Sequence, residues 1–349
     1  MNDIAQVVYE HLAKGEPVVL VKIIHQRGST PRGAGTQMVV TRDGSHVGTI
    51  GGGLMEGTMI AKSLELIDEG SACIVAFDLT QDDVAAMDMI CGGDVEVLLD
   101  PIAPTQDNVA LADRWCQMQR ETQSGGFVTV MQRIGDRIEQ IDHGVMAMDG
   151  TVYGHLPVAT DRLIDVLKQT LATGAMIAVT EADHDILLEP VEIPPTAIII
   201  GAGHVAQPTA HLAAAVGFRV IVRDDREIFA KAERFPDADQ VVVLDDFETV
   251  FDGLAVHRNT FIIIVTRGHL YDKIVLAKAL KTQAGYIGMI GSRRKREAIF
   301  GQLVKEGFTE EDLKRVHSPI GLNIGAETPE EIGLSIVAEL VKEKRGLTK

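Results

Sequence analysis

Aromatic side chains make up only 4% of the 349 residues, and there is a single tryptophan, Trp115. A surface built to stack single-stranded bases carries more. Positive charge is also scarce: 33 Lys and Arg stand against 50 Asp and Glu, a net charge of −17. That balance excludes the basic footprint needed by a nucleic-acid partner or an anionic membrane surface. Cysteine is limited to Cys73, Cys91 and Cys116, an odd count with no CxxC spacing. Neither a disulfide framework nor a zinc site is expected, and a reducing compartment is the simpler reading. Long apolar runs are missing as well. Stretches such as Thr196–Ile200 and Phe261–Val265 are the length of buried strands, not of a bilayer span. The start, Met1-Asn2-Asp3-Ile4, has neither a basic n-region nor an apolar h-region. The expectation is a cytoplasmic protein with no membrane partner.

Apolar material is plentiful in short pieces. Hydrophobic content is 46% and mean hydropathy is +0.11, enough for two cores in a chain of this length. The pattern predicts a helix over 1–14 and a strand over Val18–Ile24. Gln37–Thr41 and His46–Ile50, joined by Asp43-Gly44, predict a hairpin. A helix over Leu54–Glu69 and strands over Ala72–Leu79 and Val95–Leu99 follow. Between 103 and 190 the spacing predicts helices at Asn108–Arg120 and Asp161–Leu171, with strands at Phe127–Arg133, Arg137–Ile141 and Ala175–Thr180. No internal repeat stands out. Pro190 and Pro194-Pro195 punctuate the chain, and they divide it into domains 1–193 and 194–349.

Beyond that point, strands at Ala197–Ile200, Arg219–Arg223, Gln240–Leu244, Phe261–Val265 and Tyr286–Ile290 alternate with segments read as helical. Alternation of this kind means a parallel sheet with right-handed crossovers. The fold class is therefore α/β: a C-terminal Rossmann-like doubly wound parallel sheet plus an N-terminal mixed α/β domain.

Gly201-Ala202-Gly203-His204-Val205-Ala206 has the form GxGxxA between an apolar strand and a helix. Gly201 permits the turn, Gly203 lets a pyrophosphate approach the backbone, and Ala206 lets the helix pack on the strand. Asp224, at the end of the next strand, is placed to hold ribose hydroxyls. In a doubly wound sheet ligands bind beyond the carboxyl ends of the strands. Those ends collect His204, Asp224-Asp225-Arg226, Arg267, His269, Ser292, Arg293 and Arg294, together with His317-Ser318-Pro319. Three histidines among several arginines suit an anionic ligand. His269 and Asp272, three apart at a helix start, read either as a metal or acid/base pair or as a structural cap.

Three glycine-rich segments mark the N-terminal domain. Gly28-Ser29-Thr30-Pro31-Arg32-Gly33-Ala34-Gly35 offers hydroxyls and an arginine to an oxyanion. Gly51-Gly52-Gly53, with Glu56 just beyond, opens a helix with free N–H donors. Met89-Ile90-Cys91-Gly92-Gly93 leaves a thiol sterically accessible. Each segment also reads as a plain turn, and Cys91 as an ordinary buried apolar residue.

Taken in order, GSTPRGAG, GTIGGGLMEG and MICGG in the first domain, with GAGHVAQ, RDDREIFAKAERFPDAD, TRGHLYD, YIGMIGSRRKR and HSPIGLNIGAETPEEI in the second, resemble the XdhC/CoxI family. The resemblance covers most of the chain outside the middle region. It implies an accessory protein for xanthine dehydrogenase and related molybdenum hydroxylases: a chaperone, not a turnover enzyme. Such a protein binds the molybdenum cofactor (molybdopterin or its dinucleotide form) while a cysteine desulfurase installs the terminal sulfur. It then passes the cofactor to the apo-enzyme. The resemblance also implies a homodimer. Carried over by position, Cys91 becomes the candidate for holding molybdenum or sulfur, Ser29, Arg32 and Gly51–Gly53 the candidates for oxyanion groups, and Gly201, Gly203 and Asp224 the nucleotide-type site. Two departures stand out. Asn323 occupies the place of an expected aspartate in GLDIG, which weakens any catalytic role there. Arg223 precedes the acidic pair, which leaves room for a ligand with an extra phosphate.

Two other functions fit the same residues. One is an NAD(P)-dependent oxidoreductase using the 201–224 site, with His269 or His317 as acid/base. The other is a regulatory sensor that binds a nucleotide and a protein partner without chemistry.

Overall fold

The structure, a computed structural model, describes residues 4–78, 93–121, 123–135, 137–191 and 193–346. The chain divides into two compact units, residues 2–193 and residues 194–349.

The first unit is built twice from one plan. Its first half runs α1 (Ile4–Ala13), β1 (Val18–Gly28), β2 (Gln37–Thr41), β3 (His46–Gly48), α2 (Gly53–Glu69), β4 (Cys73–Asp78) and β5 (Gly93–Ile102). Its second half runs α3 (Gln106–Arg120), β6 (Gly125–Ile134), β7 (Arg137–Ala147), β8 (Val152–Gly154), α4 (Thr160–Thr173), β9 (Ile177–Glu181) and β10 (His184–Pro190). The halves form five-stranded antiparallel sheets of identical order, β3-β2-β1-β5-β4 and β8-β7-β6-β10-β9.

The expectation of no internal repeat is thus corrected. The duplication is carried by strand order and by a few turn residues, and single-sequence inspection passes over both. Asp43-Gly44 and Asp149-Gly150 turn the equivalent hairpins. Helices α2 and α4 both end on left-handed glycines, Gly70 and Gly174, the usual helix stop. Leu98-Leu99-Asp100-Pro101 is echoed by Leu187-Leu188-Glu189-Pro190.

Each sheet has one face under a helix. Met55, Met59, Leu66 and Ile67 of α2 pack on Val19, Val21, Val97 and Leu99. Leu163 and Leu167 of α4 pack on Val128, Val130, Ile186 and Leu188. The other faces meet, with Leu98, Met131 and Leu187 between them, while α1 and α3 close the ends of this layer. A strand covered on both sides must be apolar on both sides, which is why Val18–Ile23 is buried without alternation.

The layer between the sheets also holds charge. Lys22, 1% exposed, is ion-paired with Glu189, and His143 Nε2 lies 2.7 Å from Asp100 Oδ2. Asp100 and Glu189 are the equivalent residues of the two halves, so each half's acid is partnered by the other half's base.

The second unit is the expected doubly wound sheet. Strands β11 (Thr196–Ile200), β12 (Arg219–Asp224), β13 (Gln240–Val243), β14 (Thr260–Ile264), β15 (Tyr286–Met289) and β16 (Val316–His317) are all parallel, in the order β13-β12-β11-β14-β15-β16. Helices α5 (Ala206–Ala215), α6 (His269–Ala279), α7 (Arg293–Lys305), α8 (Glu310–Lys314) and α9 (Pro329–Lys344) cover it. One core lies under α5 and α9, the other under α6 and α7.

Two crossovers differ from the helical reading. The β12–β13 and β13–β14 connections each hold one 3-10 turn, Ala232–Arg234 and Phe247–Thr249. In the first, tertiary hydrogen bonds replace helical ones: Arg234 Nη1 donates to the carbonyls of Ala202 (3.0 Å) and Phe229 (2.8 Å). Pro236 then bars continuation.

Candidate functional site

In the first unit, the described ends of the three glycine-rich segments leave one end of the first sheet. Gly28 at the end of β1 pairs with Gly93 at the start of β5, and Met38 at the start of β2 pairs with Gly48 at the end of β3. The loops touch. A Cβ on Gly51 would lie 3.1 Å from Pro31 Cβ, and one on Gly93 would lie 3.0 Å from Ser29 O. At two of the three matching places the second half has only two residues, while 155–159 nearly match the 49–52 turn in length. Gly135-Asp136 joins β6 to β7, and Ala182-Asp183 joins β9 to β10 where the first half has residues 79–92. Cys91 and Gly92 lie outside the described residues.

Glu56 organises what is described. Its Oε2 accepts from Thr49 Oγ1 (2.5 Å), Ile50 N (3.1 Å) and Gly52 N (3.1 Å), and His46 Nε2 stands 3.6 Å from Oε1. Burial pushes this carboxyl up, but the three donated hydrogen bonds outweigh it and hold Glu56 below its ordinary value. Glu56 is therefore a brace for the 49–52 turn, with one oxygen fully committed. Gly52 is the N-cap of α2 with φ 78° and contributes no side-chain cap. The N–H groups of Gly53, Leu54 and Met55 therefore begin the helix without intrahelical acceptors. Among the described residues, a Cβ at Gly52 or Gly53 would meet nothing within 4 Å. Ser29 and Arg32 are exposed on the neighbouring loop, which Thr30 Oγ1→Arg32 O (2.9 Å) and Ala34 N→Gln26 Oε1 (2.9 Å) hold in shape. This arrangement can receive an oxyanion on backbone donors.

In the second unit, the chain turns at Gly201 between β11 and α5. The N–H groups of Gly203, His204 and Val205 have no acceptor among the described residues. Asp224 is in place at the end of β12, but its role differs from the expected one. It is 1% exposed and accepts from Ala202 N (2.7 Å), Arg226 N (2.9 Å), Arg226 Nε (2.9 Å) and Arg226 Nη2 (2.8 Å). A carboxylate so enclosed fixes the glycine turn and has no edge left for ribose hydroxyls. Arg223 is corrected as well. It is 7% exposed and its Nη1 donates to the carbonyls of Val250 (2.9 Å) and Asp252 (3.1 Å), so it is not offered to a phosphate.

His269 and Asp272 are not brought together as a pair. His269 is exposed. Asp272 is fully buried, accepts from Thr266 Oγ1 (2.6 Å) and is ion-paired with Lys295. Burial raises the Asp272 carboxyl, and those partners offset this only in part. Ser292 caps α7, its Oγ accepting from Lys295 N (3.3 Å). Arg293 and Arg294 are exposed and make no ion pair among the described residues. His317 Nδ1 stands 3.4 Å from Glu339 Oε1, while Tyr286 Oη (2.6 Å) and Gly321 N (2.7 Å) donate to Glu339 Oε2.

Sequence reasoning missed Arg234 and Lys295, although both lie inside the quoted family motifs. No local signal marks either one: Arg234 stands between Glu233 and Phe235, and Lys295 stands between Arg294 and Arg296 and reads as part of a basic run. Arg234 also lines a cleft of about 410 Å³ beside the glycine turn, with His204, Gln207, His211, Phe235 and Glu330. Among the described residues, no group of three or more His, Cys, Asp or Glu could hold a metal ion. No helix there is long and apolar enough to cross a membrane. Cys116 is buried and Cys73 half-buried, with burial raising the Cys73 thiol.

These features define a class: a doubly wound parallel α/β unit with a glycine turn, joined in the chain to a duplicated α/β unit with glycine-rich loops in its first half. Residues 197–340 match the XdhC Rossmann domain and residues 11–78 match the XdhC and CoxI family. The chain belongs to the XdhC and CoxI family. It is 26% identical over 333 residues to a protein of Bacillus subtilis (strain 168) named as a probable xanthine dehydrogenase subunit, covering 95% of this chain and 94% of that one. It is 23% identical over 333 residues to "Molybdenum cofactor insertion chaperone PaoD" of Escherichia coli (strain K12), covering 95% and 85%. With "Uncharacterized protein YqeB" of the same strain it shares 26% over 328 residues, 94% of this chain but 44% of that relative's length. A solved structure described as a xanthine dehydrogenase from Bacillus halodurans has the same fold, with TM-score 0.79 at 24% identity over 99% of this chain and 97% of that one.

Proposed function

We propose that this chain is an accessory protein that binds the molybdenum cofactor, supports its sulfuration by a cysteine desulfurase, and hands it to a xanthine-dehydrogenase-type apo-enzyme. Family membership and a relative named as a molybdenum cofactor insertion chaperone support the accessory role. One structural observation supports seeking the site in the first half of the duplicated unit. The first half of the duplicated unit has the elaborated loops, and the second half joins the equivalent strands with minimal turns.

The residues fit such a group. The cofactor's phosphate and oxo ligands are anionic oxygens, and the start of α2 presents backbone donors where, among the described residues, nothing crowds Gly52 and Gly53. In this reading Ser29, Arg32 and Gly51–Gly53 hold the oxyanions, and Cys91 holds molybdenum or sulfur. The second unit takes a nucleotide-type anion on the 203–205 donors, as the dinucleotide form of the cofactor would supply. Two copies of the chain form the working dimer.

The test is to purify the protein from cells that make the cofactor, denature it, and assay the supernatant for oxidised-pterin fluorescence and molybdenum. Near-stoichiometric pterin, reduced by Cys91→Ala and by Gly52→Val, is expected. A tightly held nicotinamide nucleotide with no pterin would instead favour the oxidoreductase.

A further inference from the structure

Arg267 and Asp225 form a two-pronged ion pair. Nη2 lies 2.7 Å from Oδ2, and Nη1 reaches Oδ1. Their places in the sheet give the pair its meaning. Asp225 immediately follows β12, Arg267 follows β14, and β11 lies between those strands. All three strands are parallel, so both residues stand at the carboxyl edge, and the pair crosses the end of β11. That is where the chain turns at Gly201 and where the free N–H groups of Gly203, His204 and Val205 begin α5. The topological switch point, the ligand-binding place of this architecture, is spanned by a side-chain strap.

We propose that Arg267 is the phosphate-binding arginine of the second unit, and that Asp225 is an internal stand-in which a pyrophosphate-bearing ligand displaces. This rests on the reading that the second unit takes a nucleotide-type anion. The neighbouring charges are already committed. Arg223 is turned onto backbone carbonyls, and Asp224 is closed around Ala202 N and Arg226. Arg226 Nε also stands 3.9 Å from Asp225 Oδ1, so two guanidinium groups face the one replaceable carboxylate.

The Arg267 and Asp225 side chains are 33% and 16% exposed. Part of the pair faces water, so the Asp225 carboxylate has solvent to move into when a stronger anion takes its place in the fork. A guanidinium fork accepts a phosphate in the geometry it uses for a carboxylate. The Arg267 guanidinium lies over the Tyr271 ring, 4.3 Å from its centroid, so its position does not depend on Asp225 alone. With Asp225 in the fork, its negative charge repels an arriving phosphate. With Asp225 swung out, the crevice offers one freed fork and three backbone donors to the two phosphates of a pyrophosphate group.

The experiment is calorimetric titration of the full chain with inorganic pyrophosphate and with ADP. The two probes separate recognition of the anion from recognition of a nucleoside. Removing the competing charge by Asp225→Asn is expected to tighten binding of both probes about tenfold. Arg267→Gln is expected to weaken it by about tenfold or more, and Arg267→Lys to lie between, since it keeps the charge and loses the fork. Asp225→Asn added to Arg267→Gln is expected to gain little, because the two residues act on one event. A ribose-binding or purely structural Asp225 predicts the opposite sign, weaker or unchanged binding in Asp225→Asn, and that result overturns the proposal. If wild type binds ADP and Arg267→Gln binds it equally, the strap falls and the nucleotide reading stands. If no variant binds either probe, both fall.

Discussion

Gly48 and Gly154 are the same residue in two copies of one fold. Gly48 has φ 88° and a Cβ there would lie 2.5 Å from Gln37 O; Gly154 has φ 94° and its Cβ would lie 2.6 Å from His143 O. Each sits at the end of a short third strand and faces the second strand of its own sheet. Gln37 and His143 are equivalent in turn, and so are Asp100 and Glu189. Two glycines with one conformation and one obstruction, on top of matched strand orders, make the duplication a statement about residues as well as topology.

The first prediction follows from that equivalence. Gly48→Ala and Gly154→Ala should each destabilise the protein by about 1–3 kcal/mol from backbone strain, with the carbonyl clash adding to it. Urea unfolding checks both. A loss at one position and none at the other would mean that the halves are not built alike.

The buried pair between the sheets gives the second. Lys22 and Glu189 are removed from water together, so taking away one leaves the other buried without its ion-pair partner. Lys22→Met or Glu189→Gln should cost about 3–5 kcal/mol, while Lys22→Met with Glu189→Met should recover much of that loss. Denaturant midpoints of the three variants decide it. A double variant as unstable as the worse single would show that the charges themselves, and not their mutual satisfaction, hold the sheets together.

The third concerns acid. Burial pushes Asp224 up, but hydrogen bonds from Arg226 and Ala202 outweigh it and leave the carboxyl below its ordinary 3.8. A carboxyl depressed in the folded state contributes stability that is fully present above the unfolded value. That stability is lost as pH falls through the lower folded value. Wild type should therefore lose stability as pH is taken from about 5 downward, and Asp224→Asn should show a shallower decline from a lower starting point. Thermal unfolding followed from pH 6 to pH 3 measures the slope, and equal slopes would remove Asp224 from the account.

Glu56 supplies the fourth. Its carboxylate takes three hydrogen bonds from the 49–52 turn. Glu56→Ala should cost about 1–3 kcal/mol and should lower pterin retention more than stability alone explains. Amide exchange at Ile50 and Gly52 offers a direct readout, since both N–H groups lose their acceptor and should exchange faster. Unchanged exchange at those two amides would show that the turn holds itself.

Much was legible in order and spacing. Glycines between an apolar strand and a helix, at 201–206, announce a Rossmann turn, because only small residues allow the close passage that the turn requires. Apolar runs of four to six residues in regular alternation fix a parallel sheet, and the structure returns those strands nearly residue for residue. Thr328-Pro329-Glu330-Glu331 spells a capping box, and the structure forms it, with Pro329 at the first helical position. Family membership was legible too, since the segments that carry it are local strings. The three N-terminal motifs could be picked out because so many glycines in so few residues serve no core.

What each charged residue does was decided only by the tertiary structure. Asp224, Arg223 and Asp272 look like ligands in the sequence. Folding spends them on Ala202 N, on the carbonyls of Val250 and Asp252, and on Thr266 and Lys295. A polar group that goes inside must find a partner, and a linear string does not say which atom that will be. The duplication was hidden for a related reason. Hydrogen-bonded strand order is a relation among distant segments, and it survives after side chains have diverged, because it asks only for a pleat, a turn and a buried face. Sequence alone determined that this chain makes a glycine-rich α/β unit followed in the chain by a doubly wound sheet. The fold decided which of its charges are anchors, and it left Arg267 facing a carboxylate across the end of β11.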